Sequence, residues 1–220
     1  MSFKQIVIPA RRGSKGWPRK NVRLFDHTVR QIPEQYKRRV LVSTDDEQIE
    51  AMASTTGMST FIRPANVSDD QSDIRTTLQK TLVNRNLKKS DVIIMLYLTY
   101  PDREWDDVTR MYNTFISSEA TSMLCKQPVL THPCLTMIID DETGSPRPVL
   151  DHKYYQRQQY PECFEISHYI CMFRYGVLKD LNRNMYNEDT QYFSIDRTID
   201  VDSEKDYEKF TTKHLQPTNE

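Results

Sequence analysis

The chain has 220 residues, with 30 lysines and arginines against 31 aspartates and glutamates and a formal net charge of −1, a balance that excludes a global commitment to nucleic acid or to an anionic lipid surface. No stretch approaches the ~20 apolar residues of a membrane span, and the leading MSFKQIVIPARR lacks the apolar core of a secretory signal, so a cytoplasmic chain without membrane contact is expected. Only five glycines occur, yet Gly13 and Gly16 stand three positions apart beside an apolar run, which suggests that the backbone there needs them.

Ile6-Val7-Ile8-Pro9 is a short continuous apolar run, the pattern of a parallel strand covered on both faces. A polar loop follows from Ala10 to Asn21. Residues 11–23 (RRGSKGWPRKNVR) hold six basic side chains and no acidic one. A glycine-containing loop leaving the first strand of an α/β sheet can aim backbone N–H groups and lysines at a polyanion. The string matches neither GxxxxGK[ST] nor GxGxxG, and spacing alone leaves a phosphate site, a solvated basic loop and a nucleic-acid contact all open. Lys37-Arg38-Arg39 reads as a solvated helix end. Val40 to Ser43 is a second buried strand, and the carboxylates of Thr44-Asp45-Asp46-Glu47 suit the start of a helix from Gln48 to Thr56 that Gly57 stops. Ile74, Leu78 and Leu82 recur at helical spacing, Asp91 to Leu98 (DVIIMLYL) is the third strand, and Val108, Met111, Tyr112, Phe115 and Ile116 form a second helical stripe. This alternation predicts a three-layer α/β sheet with its ligand site beyond the carboxyl ends of the strands.

The second half changes character. Lys126 to Pro161 contains five of the eleven prolines, a turn-like Asp140-Asp141-Glu142-Thr143-Gly144 and a run of tyrosines and glutamines from Tyr154 to Tyr160, which reads as hairpins or a projecting arm, the tyrosines packing at an interface. The core pattern resumes at Ile170-Cys171-Met172-Phe173. Ser203 opens a last helix with Asp206 in the capping-box position, and the chain from Pro217 is expected to fray. One domain over residues 1–220 with an excursion at 126–170 is the expected organisation. Cys125, Cys134, Cys163 and Cys171 form no CxxC pair and are expected to be reduced. Asp200 and Asp202 alternate in an extended, β-branched context that puts both carboxylates on one face. Two such groups repel unless a cation or a proton sits between them. Mg²⁺, or Mn²⁺, bound with phosphate oxygens satisfies that demand; the alternative is a helix cap, because Asp202 directly precedes the last helix. The histidines His27, His132, His152, His168 and His214 are scattered and single out no general base.

The full string Ile8-Pro9-Ala10-Arg11-Arg12-Gly13-Ser14-Lys15-Gly16-Trp17-Pro18-Arg19-Lys20-Asn21 resembles the signature of the acylneuraminate cytidylyltransferases, or CMP-sialic acid synthetases, roughly IPARxGSKGxPxKN. Further segments fall in the family's order: Val42 to Glu47 resembles VSTDDEEI, Arg63-Pro64-Ala65 with Asp70 resembles RPxxLAxD, Arg157-Gln158 with Pro161 resembles RRQxxP, and Ile199 to Asp202 with Asp206 resembles IDIDTxxD. The lysine-rich loop is closer to the sialate branch than to the CMP-Kdo synthetases. The resemblance implies a Rossmann-like nucleotidyltransferase fold with a mostly parallel sheet, whose enzyme moves CMP from CTP to a sugar and releases pyrophosphate. It implies that Arg11, Ser14, Lys15 and Lys20 grip the triphosphate, that Ala10, Gly13 and Asn21 complete the nucleotide turn, that Arg63 and Asp70 lie near the nucleotide, and that Asp200 and Asp202 hold the metal. Arg11, Lys20 and Asp200 are then the catalytic candidates. By the same resemblance the 126–170 arm makes a homodimer, with Arg157 acting across the interface.

Departures cluster on the acceptor side. The family's LLQPTSPLR reads Met95-Leu96-Tyr97-Leu98-Thr99-Tyr100-Pro101-Asp102-Arg103, so Tyr97 stands where a glutamine is linked to sugar recognition, and the family's LNGAIY reads Ile166-Ser167-His168-Tyr169-Ile170-Cys171. The segment after Asn21 is also shortened. Tyr97, Thr99, Arg157, Gln158, Ser167 and His168 are therefore the candidate acceptor residues of a divergent, shortened member. The expected acceptor is another nonulosonic or Kdo-like acid, or a sugar phosphate that would give a CDP-sugar. UTP or dCTP in place of CTP, and a degenerate chain that binds nucleotide without turnover, stay as alternatives.

Overall fold

The computed structural model describes residues 1–14, 16–64 and 73–215; Lys15, Asp70 and the chain from Pro217 lie outside them. Seven strands form one sheet in the order β3-β2-β1-β4-β8-β5-β9. Its parallel half is β1 (Gln5–Ala10), β2 (Val40–Thr44), β3 (Ser59–Ile62) and β4 (Val92–Met95). β8 (Phe164–Arg174) runs antiparallel to both β4 and β5 (Ser122–Pro128), and β9 (Gln191–Ser194) lies parallel to β5. Alternate residues of the central strands feed two cores. Ile6, Ile8 and Ile94 join one, with Leu24 and Phe25 of α1 (Lys20–Gln31), Ile49 of α3 (Glu47–Thr55), Phe115 of α5 (Trp105–Ser117) and Phe210 of α6 (Glu204–Leu215). Val7, Ile93 and Met95 join the other, with Leu78 and Leu82 of α4 (Ile74–Leu82). Helices on both faces are why the central strands are apolar without alternation.

α2 is a single short turn (Glu34–Lys37), and Arg39 just beyond it donates from Nη1 to the carbonyl of Phe3 at 2.8 Å. β6 (Met137–Ile139) and β7 (Pro146–Pro148) make a separate antiparallel hairpin, every residue of which is exposed. This is the arm expected from the prolines and turn residues. Its base is aromatic: His132 stacks on Tyr160 at 4.8 Å and His152 on Tyr154 at 5.5 Å. All four cysteines are free. No described helix is long and apolar enough to cross a membrane.

Three local expectations change. The basic loop ends at Arg19, so Lys20 and Asn21 ride on the first turn of α1 and not on the loop. β3, β5 and β9 are strands that hydropathy did not announce. Asp200 and Asp202 lie in the irregular link between β9 and α6, outside any ladder.

Candidate active site

The site lies where the carboxyl ends of β1, β2 and β4 meet that link. Pro9 can occupy β1 because its nitrogen faces β4 beyond the end of their ladder at Val7 and Met95. Ala10 is fully buried, and its carbonyl accepts from Thr44 Oγ1 at 2.6 Å. Ala10 therefore forms the floor beneath the cleft, with its side chain closed off. The loop above is tied on three sides. Arg12 N–H donates to Asp45 Oδ1 at 2.7 Å, Asn21 Nδ2 donates to the Arg11 carbonyl at 2.8 Å, and Trp17 packs its ring against Tyr207 of α6 at 5.1 Å. Asp46 caps α3 by accepting from the N–H groups of Gln48 and Ile49, and Gly57 at φ 72° ends that helix.

The acidic link is fixed to the tip of β4. Val201 N–H donates to the Thr99 carbonyl at 2.7 Å, and Ile199 N–H to Asp102 Oδ2 at 3.3 Å. The helix cap falls to Ser203, whose N–H and hydroxyl donate to Asp206 Oδ2 at 3.1 and 2.6 Å while its Oγ accepts from Asp206 N–H. This capping box releases Asp202 from helix duty. Its carboxylate meets Lys20 Nζ at 2.5 Å, across 182 residues of chain. Asp200 Oδ2 accepts from the Tyr100 hydroxyl at 3.0 Å. Gly16 explains its own identity: a Cβ there would stand 3.0 Å from the backbone oxygen of Asp202, whereas a Cβ on Gly13 would meet nothing within 4 Å.

These elements enclose a cleft of ≈ 330 Å³. Arg11, Ser14, Lys20, Asn21 and Arg63 line it together with Asp200 and Asp202. Burial lowers the Arg63 guanidinium to about 10, Asp45 opposes that, and the nearby Arg11 adds repulsion. Arg63 is held in place by Ser43, donating from Nε to its carbonyl at 3.1 Å and its hydroxyl at 3.0 Å. Asp200 is open to the cleft, yet its carboxyl is raised, first by desolvation and then by the charge of Asp202, against the hydroxyls of Thr99 and Tyr100 and the charge of Lys20. Two anions against two closely placed guanidinium groups fit a metal-bound polyphosphate. Among the described residues no cluster of three or more metal-ligating acidic, histidine or cysteine side chains exists. Two carboxylates completed by phosphate oxygens are nonetheless a usual Mg²⁺ set.

The acceptor candidates divide. Tyr97, Thr99 and His168 line the same cleft, together with Tyr100 and Asp200. Ser167 is buried on the far side of Tyr100, in a neighbouring basin that shares Tyr100 and Asp200. Gly13 opens on another basin, shared through Ser14. Arg157 and Gln158 sit exposed in the arm and do not reach the cleft within one chain. Two residues that support the site escaped the sequence. Tyr100 orients Asp200, and Arg103, 2% exposed, donates from Nε to the Tyr169 carbonyl at 2.8 Å and from Nη2 to the Tyr97 carbonyl at 2.6 Å. Burial lowers Arg103 to about 10.

The family model described as Cytidylyltransferase matches residues 5–209. The chain is 24% identical over 220 residues to a post-translational flagellin modification protein B of Campylobacter coli, covering 94% of this chain and 93% of that protein. It is 24% identical over 219 residues to an N-acylneuraminate cytidylyltransferase of Streptococcus agalactiae serotype V, covering 91% of this chain and 51% of the streptococcal protein, so it spans about half that length. A solved CMP:2-keto-3-deoxy-manno-octonic acid synthetase complexed with CTP has a TM-score of 0.71 at 17% identity, over 98% of this chain and 99% of that one. The 4-diphosphocytidyl-2C-methyl-D-erythritol synthase of Anaerococcus prevotii has a TM-score of 0.62 at 10% identity, over 97% and 99%. At such identities the structural likeness speaks for the fold.

Proposed function

The chain belongs to the cytidylyltransferase family, and from that premise we propose that it moves CMP from CTP to a sugar acceptor other than ordinary sialic acid, releasing pyrophosphate. One observation carries this reading: Arg11 and Lys20 share a single cleft with Asp200 and Asp202, although the two pairs come from opposite ends of the sequence. In the transfer an acceptor oxygen attacks the α-phosphorus of CTP, the new P–O bond forms, and the bond to the β-phosphate oxygen breaks with its electron pair leaving on pyrophosphate. Arg11 and Lys20 stabilise the charge that grows on that leaving group. Arg63, pinned by Ser43, contributes a fixed positive field beside the nucleotide. Asp200 and Asp202 are the residues that would hold Mg²⁺, with Mn²⁺ as a substitute; bound there, the ion supplies Lewis acidity at the α-phosphate and can lower the pKa of an acceptor hydroxyl. Tyr100 and Thr99 hold the Asp200 carboxylate in place, and Lys20 neutralises Asp202 until the nucleotide arrives.

Pyrophosphate release tests the proposal, with CTP and Mg²⁺ against a panel of nonulosonic acids, Kdo and pentose or hexose phosphates. Turnover with at least one acid is expected. Failure with every acid but turnover with a sugar phosphate would move the product class to a CDP-sugar. CTP binding with no pyrophosphate at any metal concentration would overturn the transferase reading. The proposal extends to a homodimer built through the 126–170 arm, with Arg157 and Gln158 reaching the partner's acceptor side, and to a cytoplasmic setting. The exposed apolar side chains of the arm support the first, and four free thiols suit the second.

A further inference from the structure

The acceptor side of the cleft holds two groups whose polar atoms the rest of the protein leaves to a ligand. His168 Nε2 lies 3.0 Å from the carbonyl oxygen of Asn184. A carbonyl only accepts, so the proton between them belongs to Nε2, and in the neutral tautomer with that proton Nδ1 is an acceptor. Among the described residues nothing hydrogen-bonds Nδ1, and nothing hydrogen-bonds the Tyr97 hydroxyl. The two rings meet edge to face, centroids 5.8 Å apart at 89°, and both line the cleft that holds Asp200.

The direction of the Asn184 carbonyl is built into a tight turn. Asn182 N–H donates to the Tyr186 carbonyl at 2.8 Å, and Met185 N–H to the Asn182 carbonyl at 3.0 Å. The Asn182 side chain closes the turn by accepting from Asn184 N–H at 2.8 Å and Tyr186 N–H at 3.2 Å. Met185 adopts φ 66°, a conformation that an unbranched non-glycine residue keeps only under constraint, and its fully buried side chain supplies that constraint. Turn and ring are thus fixed together.

We propose that His168, held in its Nε2–H form by the Asn182–Tyr186 turn, is a specificity-determining residue that accepts a hydrogen bond at Nδ1 from a hydroxyl or amide N–H of the acceptor sugar, with the Tyr97 hydroxyl binding a neighbouring oxygen. The assignment rests on the cytidylyl-transfer reading and narrows its acceptor. A carboxylate or phosphate oxygen has no proton to give to Nδ1, so in this tautomer the wall pairs with a donor on the sugar and not with its anionic group. A hydroxylated or N-acylated edge of the sugar is what faces it. His168 is half-buried, and an acceptor atom that the bound sugar covers without pairing discriminates against ligands that lack the matching donor.

His168→Phe keeps a ring against Tyr97 and removes both nitrogens, while His168→Asn retains a polar atom near the position of Nδ1. In steady-state assays with CTP and an acceptor that turns over, His168→Phe is expected to raise the acceptor KM by about tenfold or more and to leave the CTP Kd within about twofold, with His168→Asn recovering part of the loss. An unchanged acceptor KM in His168→Phe overturns the proposal. Should that variant fail to fold, or the wild-type enzyme turn over no sugar of the panel, ¹⁵N NMR of the wild-type imidazoles decides. A proton on Nε2 and an Nδ1 resonance that moves when a panel sugar is added with CTP sustain it; a proton on Nδ1, or a resonance that no sugar moves, overturns it. Absent turnover alone counts against the transferase reading and leaves the wall to the NMR result.

Discussion

Burial and the neighbouring Asp202 raise the Asp200 carboxyl above its ordinary value. The folded protein therefore binds a proton at Asp200 more readily than the unfolded chain does. Its stability falls as pH rises from the ordinary carboxylate range through the raised value, and the ionised side chain is a cost at neutral pH. Asp200→Asn removes the charge and keeps an oxygen for the Tyr100 hydroxyl. In the ligand-free protein at pH 7.5 it is expected to raise Tm only slightly, because Asp200 is exposed and solvent screens its charge, a gain that shrinks as the buffer is taken below the ordinary carboxylate range. The same variant should lose about 100-fold or more of pyrophosphate release, because one of two proposed metal ligands is gone. Differential scanning fluorimetry and the release assay read the two effects separately; a variant that is both less stable at neutral pH and fully active contradicts the placement. Lys20 adds a related point. Its ion pair with Asp202 is 12% and 71% exposed on the two sides, so its contribution to stability is small, and its purpose is better sought in the cleft.

β1, β2 and β4 were legible in the sequence because strands covered on both faces are written as unbroken apolar runs. β3 and β9 were not: as edge strands they leave Ser59, Gln191 and Tyr192 exposed and Thr60 half-buried. β5 mixes Lys126, Gln127 and Pro128 into a core strand, and its bulge between Leu124 and Cys125 interrupts any simple period. The basic loop was legible as a string, and so was the acidic pair. What no string holds is their meeting, since the Val201–Thr99 bond and the Lys20–Asp202 pair join segments about a hundred residues apart or more. The glycines of the loop separate by the same logic. Gly16→Ala places a methyl 3.0 Å from the Asp202 backbone oxygen, so either the loop or the acidic link must retreat, and pyrophosphate release is expected to drop by about tenfold as the catalytic groups lose their spacing. Gly13→Ala meets no such neighbour and should leave stability within about 0.5 kcal/mol of wild type. Thermal melts and release rates of the two variants, run side by side, check the contrast; equal behaviour would mean that Gly16 is not the spacer.

A two-stranded hairpin is marginal in water by itself, and the β6–β7 hairpin exposes Met137 at 61% and Ile139 at 52%, with Leu130 at 78% and Tyr155 at 94% close by in sequence. Apolar exposure of this extent on a small arm calls for a covering surface, which a second copy of the chain supplies in the proposed homodimer. Met137→Glu with Ile139→Glu is expected to leave the circular dichroism of the sheet unchanged and to convert a dimer into a monomer in sedimentation velocity at micromolar concentration. Acceptor turnover should fall with it if Arg157 serves the partner's site. A wild-type chain that sediments only as a monomer removes the dimer. At the opposite end of the exposure scale, Arg103 grips main-chain oxygens at Tyr97 and Tyr169. Rings at positions 97 and 168 can thus be exchanged while the foundation beneath them keeps its course. The wall proposed to meet the sugar can then be rebuilt by substitution without disturbing the residues proposed for CTP.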